Sequence, residues 1–169
     1  MKSIFRILIT LSIGISGLAS PMPNNPDADP FAGRWTLNVQ KSIYPQGTCP
    51  KSMVIEMEVV NEGIRYRSNT LYSNGAASTA TYIAKYDNRP VLVQGSSGFL
   101  LPVSLMRIDG TTVVATYKRG MQVVATSRRQ LSSDHKVMTI KTVITDKDGQ
   151  SITTIGIYDK ASADGLATK

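Results

Sequence analysis

Two adjacent arginines, Arg128 and Arg129, stand near the end of a run over residues 121–131 that otherwise reads as a β-strand. Neighbours on a strand face opposite sides, so one of the two points into whatever the strand helps to enclose. Met121, Val123, Ala125 and Ser127 form the smaller, more apolar face, and Arg129 shares their parity; Gln122, Thr126, Arg128 and Gln130 share the other. Arg129 is therefore expected to face inward. A buried guanidinium must be paired or hydrogen-bonded, and no acid falls on an inward position of the strands that alternation assigns. A ligand carboxylate or phosphate would satisfy its planar, two-pronged head group, with Tyr66 and Tyr117 offering neutral hydrogen bonds. The alternative is a position at the rim, or a structural cation–π pair with Trp35.

Residues for other chemistry are missing or badly placed. The three glutamates cluster at Glu56, Glu58 and Glu62, two of them on an outward strand face. Asp87, Asp109, Asp134, Asp146 and Asp148 fall in turns, where a carboxylate serves the local backbone. His135 and Cys49 are each the single residue of their kind, and one of each builds no transition-metal site. Residues 146–149, DKDG, lack the later ligands of a calcium loop and read as a hairpin turn. No nucleophile elbow, phosphate loop or dinucleotide fingerprint occurs. The expectation is a protein that is not an enzyme and takes no cofactor or metal.

What must position Arg129 is a succession of short β-branched runs separated by turn residues, with no helix-length apolar periodicity. The turns bracket ten strands: 34–40, 52–60, 64–72, 78–86, 91–94, 101–108, 112–118, 121–131, 137–145 and 150–158. Asn74-Gly75 is the strongest hairpin signal. Ten strands joined by short turns make an all-β, antiparallel up-and-down meander, and closure into a barrel removes both exposed sheet edges. Alternation then assigns faces. Met53, Ile55, Met57 and Val59 face inward from the second strand, and Ile64, Tyr66, Ser68 and Thr70 from the third. Val113, Ala115 and Tyr117 do so from the seventh, and Met138, Ile140, Thr142 and Ile144 from the ninth. The last strand carries isoleucine on both faces. An interior filled for stability alone would favour Val, Ile, Leu and Phe. This one mixes adaptable methionines with hydroxyls, as a small-molecule cavity does. Arg129, Tyr66, Tyr117, Ser68, Met57 and Met138 are the expected ligand-binding residues. The competing reading places the polar ones at a wet barrel mouth.

The chain of 169 residues allows one domain. Residues 1–19 have the pattern of a secretory leader: Lys2 and Arg6, an apolar run over 7–18, and small residues at 17 and 19 for cleavage after Ala19. The run is too short to span a bilayer. Residues 20–30 hold four of the eight prolines and read as a flexible tether. A barrel over 31–160 and a frayed tail over 161–169 complete the chain. Losing Lys2 and Arg6 with the leader leaves 17 basic and 12 acidic residues, a net charge of +5. These charges are dispersed, unlike the basic face of a nucleic-acid binder. An exported chain with one cysteine has no internal disulfide, so its core alone must hold the fold. Oligomeric state has no sequence signal.

Residues 31–38, Phe-Ala-Gly-Arg-Trp-Thr-Leu-Asn, resemble the opening strand of lipocalin-like (calycin) barrels, in which a Gly-x-Trp motif starts the first strand and the tryptophan plugs the closed end. The chain is also similar to small exported bacterial proteins that open on DPF-x-G-x-W-x-LN-x-x-KS. Those continue with AKYD in mid-chain, RR before a Ser-rich turn and YDK near the end, here residues 84–87, 128–129 and 158–160. The resemblance implies structural roles for Gly33 and Trp35 and no activity. The Thr-Asp-Tyr turn and late arginine of lipocalins are absent, and 41–50 cannot hold the two helices of fatty-acid-binding proteins, so no ligand-binding residue carries over. The expected function is an exported barrel, periplasmic or extracellular, that binds a small amphipathic or anionic ligand without catalysis. An interaction or inhibitor module acting through loop 95–102, where Phe99, Leu100 and Leu101 would form an apolar patch, is the alternative. An isomerase-type enzyme in the barrel is a third.

Overall fold

The computed structural model describes residues 29–97, 100–146 and 148–162. The expected leader and most of the tether lie outside these residues, as do Phe99 and most of the tail. Ten strands form: β1 (Gly33–Leu37), β2 (Ser52–Val60), β3 (Gly63–Leu71), β4 (Ala77–Ala84), β5 (Gln94–Gly95), β6 (Val103–Asp109), β7 (Thr112–Arg119), β8 (Gln122–Leu131), β9 (Val137–Thr145) and β10 (Ser151–Lys160). Every pairing is antiparallel, and the sheet order is β5-β4-β3-β2-β1-β10-β9-β8-β7-β6. The first and last strands are neighbours, with Trp35 opposite Lys160 and Leu37 opposite Tyr158. The chain is thus an all-β, up-and-down meander wrapped on itself. Among the described residues no helix is long and apolar enough to cross a membrane.

One junction lacks a full ladder. Among the described residues no ladder joins β5 to β6, and isolated bridges from the β4–β5 connection, Asp87 to Met106 and Val91 to Val103, span the ring there. Val91 and Val103 exchange both backbone hydrogen bonds, at 2.8 and 2.9 Å. The fifth strand shrinks to two residues, and Val91, at the head of the run that the sequence assigns to it, makes only an isolated bridge to Val103. The first strand also ends early. After Leu37 the backbone turns through a single 3-10 turn, Val39–Lys41, with Asn38 at its head. The Asn38 amide donates to Asp159 at 2.9 Å, and Ser42 accepts from the Ile157 amide at 2.9 Å. The LN-x-x-KS portion of the opening motif therefore stitches the outgoing loop to β10.

Local chemistry explains most turns. Asp109, Asp134 and Asp146 accept from backbone amides two residues on, as short turn carboxylates do. Between β7 and β8 the register shifts, with Tyr117 opposite Ala125 but Lys118 opposite Val123. Val124 is the extra residue of a bulge. Parity therefore holds from Ala125 onward but fails before it: Val123 and Met121 face out and Val124 is buried. Val59, expected inward, is 53% exposed at the end of β2.

The closed end is packed solid. Trp35 is 0% exposed, and Phe31, Ile55, Val103, Leu105, Val113 and Met138 are almost equally enclosed. The indole N–H of Trp35 donates to the Phe31 carbonyl at 2.9 Å. The Lys160 ammonium stands 5.0 Å from the indole centre and donates to the Pro30 carbonyl. Gly33 has φ of +133°, and a Cβ there would strike the Lys160 side chain. Glycine at this point lets the lysine lie across the indole, so a late lysine covers the tryptophan in a chain without a late arginine.

Asp29 belongs to the barrel and not to the tether in which the sequence places it. Its carboxylate accepts from Arg107 and from the Tyr86 hydroxyl, each at 2.6 Å, and from the Phe31 amide. The Arg107 guanidinium lies 4.1 Å from the Tyr86 ring centre. At the other terminus Ala161 still donates to Arg34 at 2.8 Å, one residue into the expected tail. Asp29→Ala leaves Arg107 and Tyr86 without their shared acceptor. It is expected to cost roughly 1–3 kcal/mol, read as a lower urea midpoint with unchanged slope.

Candidate ligand-binding cavity

Beyond the Trp35 plug the barrel is hollow. A cavity of about 490 Å³ runs up to the loops at the opposite end, where Tyr44, Pro45, Thr48 and Ser97 line it. It exists because the inward positions shrink along the strands. β4 offers Tyr82, then Ala80, then Ser78, and β8 offers Arg129, Ser127, then Ala125. Gly156 on β10 makes room for two of the lining tyrosines, since a Cβ there would lie 2.7 Å from the Tyr158 ring and 3.1 Å from the Tyr44 hydroxyl. Both tyrosines lean into the space that a side chain would take.

Arg129 is 3% exposed on this wall. Its Nη2 donates to the Tyr82 hydroxyl at 2.7 Å, and Nη1 lies 4.0 Å from the Met57 sulfur. The guanidinium carbon sits 4.9 Å from the Tyr66 ring centre, and Tyr66 stacks on Tyr82 at 4.7 Å with planes 9° apart. The cation–π partner of Arg129 is thus Tyr66, not Trp35. Its Nε has no hydrogen-bond partner among the described residues. No Asp, Glu, His, Cys or Lys is among the lining residues. A buried guanidinium faced by phenols and a thioether, with no carboxylate, is a cation without a counterion among the described residues.

The tyrosines are held neutral. Burial pushes the Tyr66 hydroxyl up to about 12, against a smaller opposing pull from Arg129. Burial raises Tyr82 further, and raises Tyr44 and Tyr158 as well. For Arg129 burial works against the charge, but Tyr82, Tyr117 and Tyr66 outweigh it and the net shift is upward. Arginine keeps its proton in proteins in any case. Because these phenols ionise later in the folded chain than in the unfolded one, stability is whole below pH ~10, the unperturbed tyrosine value. It then falls as pH rises toward 12. A series of urea midpoints from pH 8 to about 11.5 should show this decline beginning near pH ~10, and the Tyr82→Phe, Tyr66→Phe double variant should flatten it.

The residues singled out by sequence do not all meet. Arg129, Tyr66, Ser68 and Tyr117 line the cavity together. Met57 and Met138 do not line it. Met57 is buried with its sulfur 4.0 Å from Arg129, and Met138 is fully buried in the core, opposite Tyr158 on β10. Methionine parity could give the face but not the depth. Tyr82, Tyr158 and Tyr44 line the cavity too and had no earlier assignment. For Tyr82 the signal was the alternation Ser78, Ala80, Tyr82, Ala84. For Tyr158, isoleucines on both faces obscured it, and Tyr44 sits in a loop without any period. In the mouth loop the Leu100 side chain folds back to within 2.8 Å of where a Gly95 Cβ would stand.

No family model and no curated protein matches this chain. Among solved structures it is similar to zebrafish ileal bile acid-binding protein complexed with cholic acid. The identity is 10%, the match covers 78% of this chain and 99% of that one, and the TM-score is 0.48. A likeness that weak carries nothing about a ligand, and the barrel described here rests on its own strand ladders.

Proposed function

We propose that this chain is an exported barrel that holds one small amphipathic anion in its interior without transforming it. The observation that carries the reading is the Nε donor of Arg129, buried, facing no acid and left without a partner. Such a group is costly in the empty protein and is compensated when an anion arrives. The apolar lining from Ile140, Ile144, Ile152 and Val93 suits the rest of an amphipathic molecule. Catalysis by general base has no support, since no carboxylate, histidine or thiol is among the lining residues, and this weighs equally against an isomerase. An interaction module through loop 95–102 has less support than binding: Leu100 is 38% exposed, but its side chain turns back toward Gly95.

Native mass spectrometry of protein recovered from its own host tests the binding reading. A co-purified organic acid is expected, and it should be absent from Arg129→Ala. Recovery of the protein with no small molecule, and no binding of any organic anion added afterwards, would sink it. Export is read separately from the intact mass: a chain beginning at Ser20 supports it, and one retaining Met1 does not.

A further inference from the structure

We infer that the anion is an oxygen-bearing aromatic carboxylic acid, and not a phosphate monoester or a saturated-chain acid. The inference rests on the reading of the cavity as an anion site and narrows it in three steps. Charge comes first. Arg129 is the one charged residue among the lining residues, and burial holds the Tyr66 and Tyr82 hydroxyls against it neutral. One guanidinium matches one carboxylate. A phosphate monoester carries about −1.5 to −2 near neutrality, so roughly a full charge would be buried uncompensated.

The rest of the wall sets the body of the ligand. Six of the seven tyrosines of the chain line this cavity. Three of them, Tyr44, Tyr72 and Tyr158, stand away from the Tyr66–Tyr82 stack beneath Arg129. Aromatic faces gather where flat rings are to be stacked, and a flexible alkyl chain gains little from them over aliphatic walls. Between the rings lie bands of hydroxyls. Ser68 and Thr70 stand on β3 and Ser78 on β4, while Ser127 and Thr142 share a 2.7 Å hydrogen bond across β8 and β9. These groups line the cavity above Arg129, beside the body of the ligand and not its acid group. A saturated chain would cover them without replacing the hydrogen bonds that water gives them. A ring carrying hydroxyl or keto oxygens replaces them.

Isothermal titration of the full-length mature protein with four probes tests this: hydroxynaphthoic acid, its primary amide, naphthyl phosphate and decanoic acid. The acid should bind at least about tenfold more tightly than each of the others. Tyr72→Leu should weaken the aromatic acid about threefold to tenfold, the worth of one aromatic contact, and leave decanoic acid unchanged. Decanoic acid or naphthyl phosphate binding as tightly as hydroxynaphthoic acid would overturn the aromatic-acid inference while leaving the anion site standing. The amide binding as tightly as the acid would overturn the anion site itself. No binding by any of the four would overturn the aromatic-acid inference, and the co-purified molecule would then judge the broader reading.

Discussion

Arg129→Met is expected to weaken binding of a carboxylate ligand by roughly 30- to 3,000-fold, the effect of removing one partner of a buried, hydrogen-bonded charge pair, while the barrel stays folded. The two halves of this expectation have different causes. In the liganded protein the guanidinium is the only cation among the lining residues, so its loss leaves a buried carboxylate with no opposite charge. In the unliganded protein the same change removes a desolvated charge that has no acid beside it. What the empty barrel loses is the 2.7 Å hydrogen bond to Tyr82 and the stacking on Tyr66. An unpaired buried hydroxyl costs roughly 1–3 kcal/mol, and relief of the uncompensated charge offsets it. Combining Arg129→Met with Tyr82→Phe removes both partners and should bring the urea midpoint close to that of the parent. Arg129→Lys keeps the charge but not the planar, stacked head group, so it should restore binding only in part. Retention of full carboxylate affinity by Arg129→Met would show that the anion binds elsewhere, or not at all.

Trp35→Ala should be the most destabilising single change in the chain, at about 3–5 kcal/mol. The indole is fully enclosed and surrounded by Phe31, Ile55 and other core residues. It also joins β1 to two segments distant in sequence, through its face to Lys160 on β10 and its pairing to Ile55 on β2, and its N–H ties the strand to Phe31 four residues before it. Its removal opens a void at the floor of the barrel next to an existing hollow, where little can collapse to fill it. For a domain with a typical 5–15 kcal/mol of stability, that loss is a large share. Trp35→Phe, which keeps a ring but strands the Phe31 carbonyl, should cost less. An unfolding free energy for Trp35→Ala, from urea titration, within about 1 kcal/mol of the parent would mean that the plug is not what holds the floor.

Much of the site was legible because strand alternation is a local code. Arg129 shares parity with Ser127 and Ala125 on one strand, and that alone aims it inward. The rule fails at Val124, where a bulge inserts a residue and reverses the parity of Val123 and Met121. Nothing in the residue types there announces the bulge. Depth along the barrel was not legible either. Met57 and Ser68 are both inward, but Met57 lies at the level of Tyr66, beneath the guanidinium, and Ser68 one pleat higher, facing the hollow.

Residue order alone settled the number of extended runs, their short turns and the inward arginine. Each depends on neighbours within a few positions, where backbone geometry is periodic and side-chain chemistry is explicit. Folding in three dimensions decided that Tyr82 and not an acid meets Arg129, that Asp29 reaches Tyr86 and Arg107, and that Tyr44 enters the cavity from a loop. It also decided that the ring joins through β1 and β10 and is only bridged beside β6. Those outcomes depend on register between strands far apart in the chain and on the paths of aperiodic segments, and no local period encodes either.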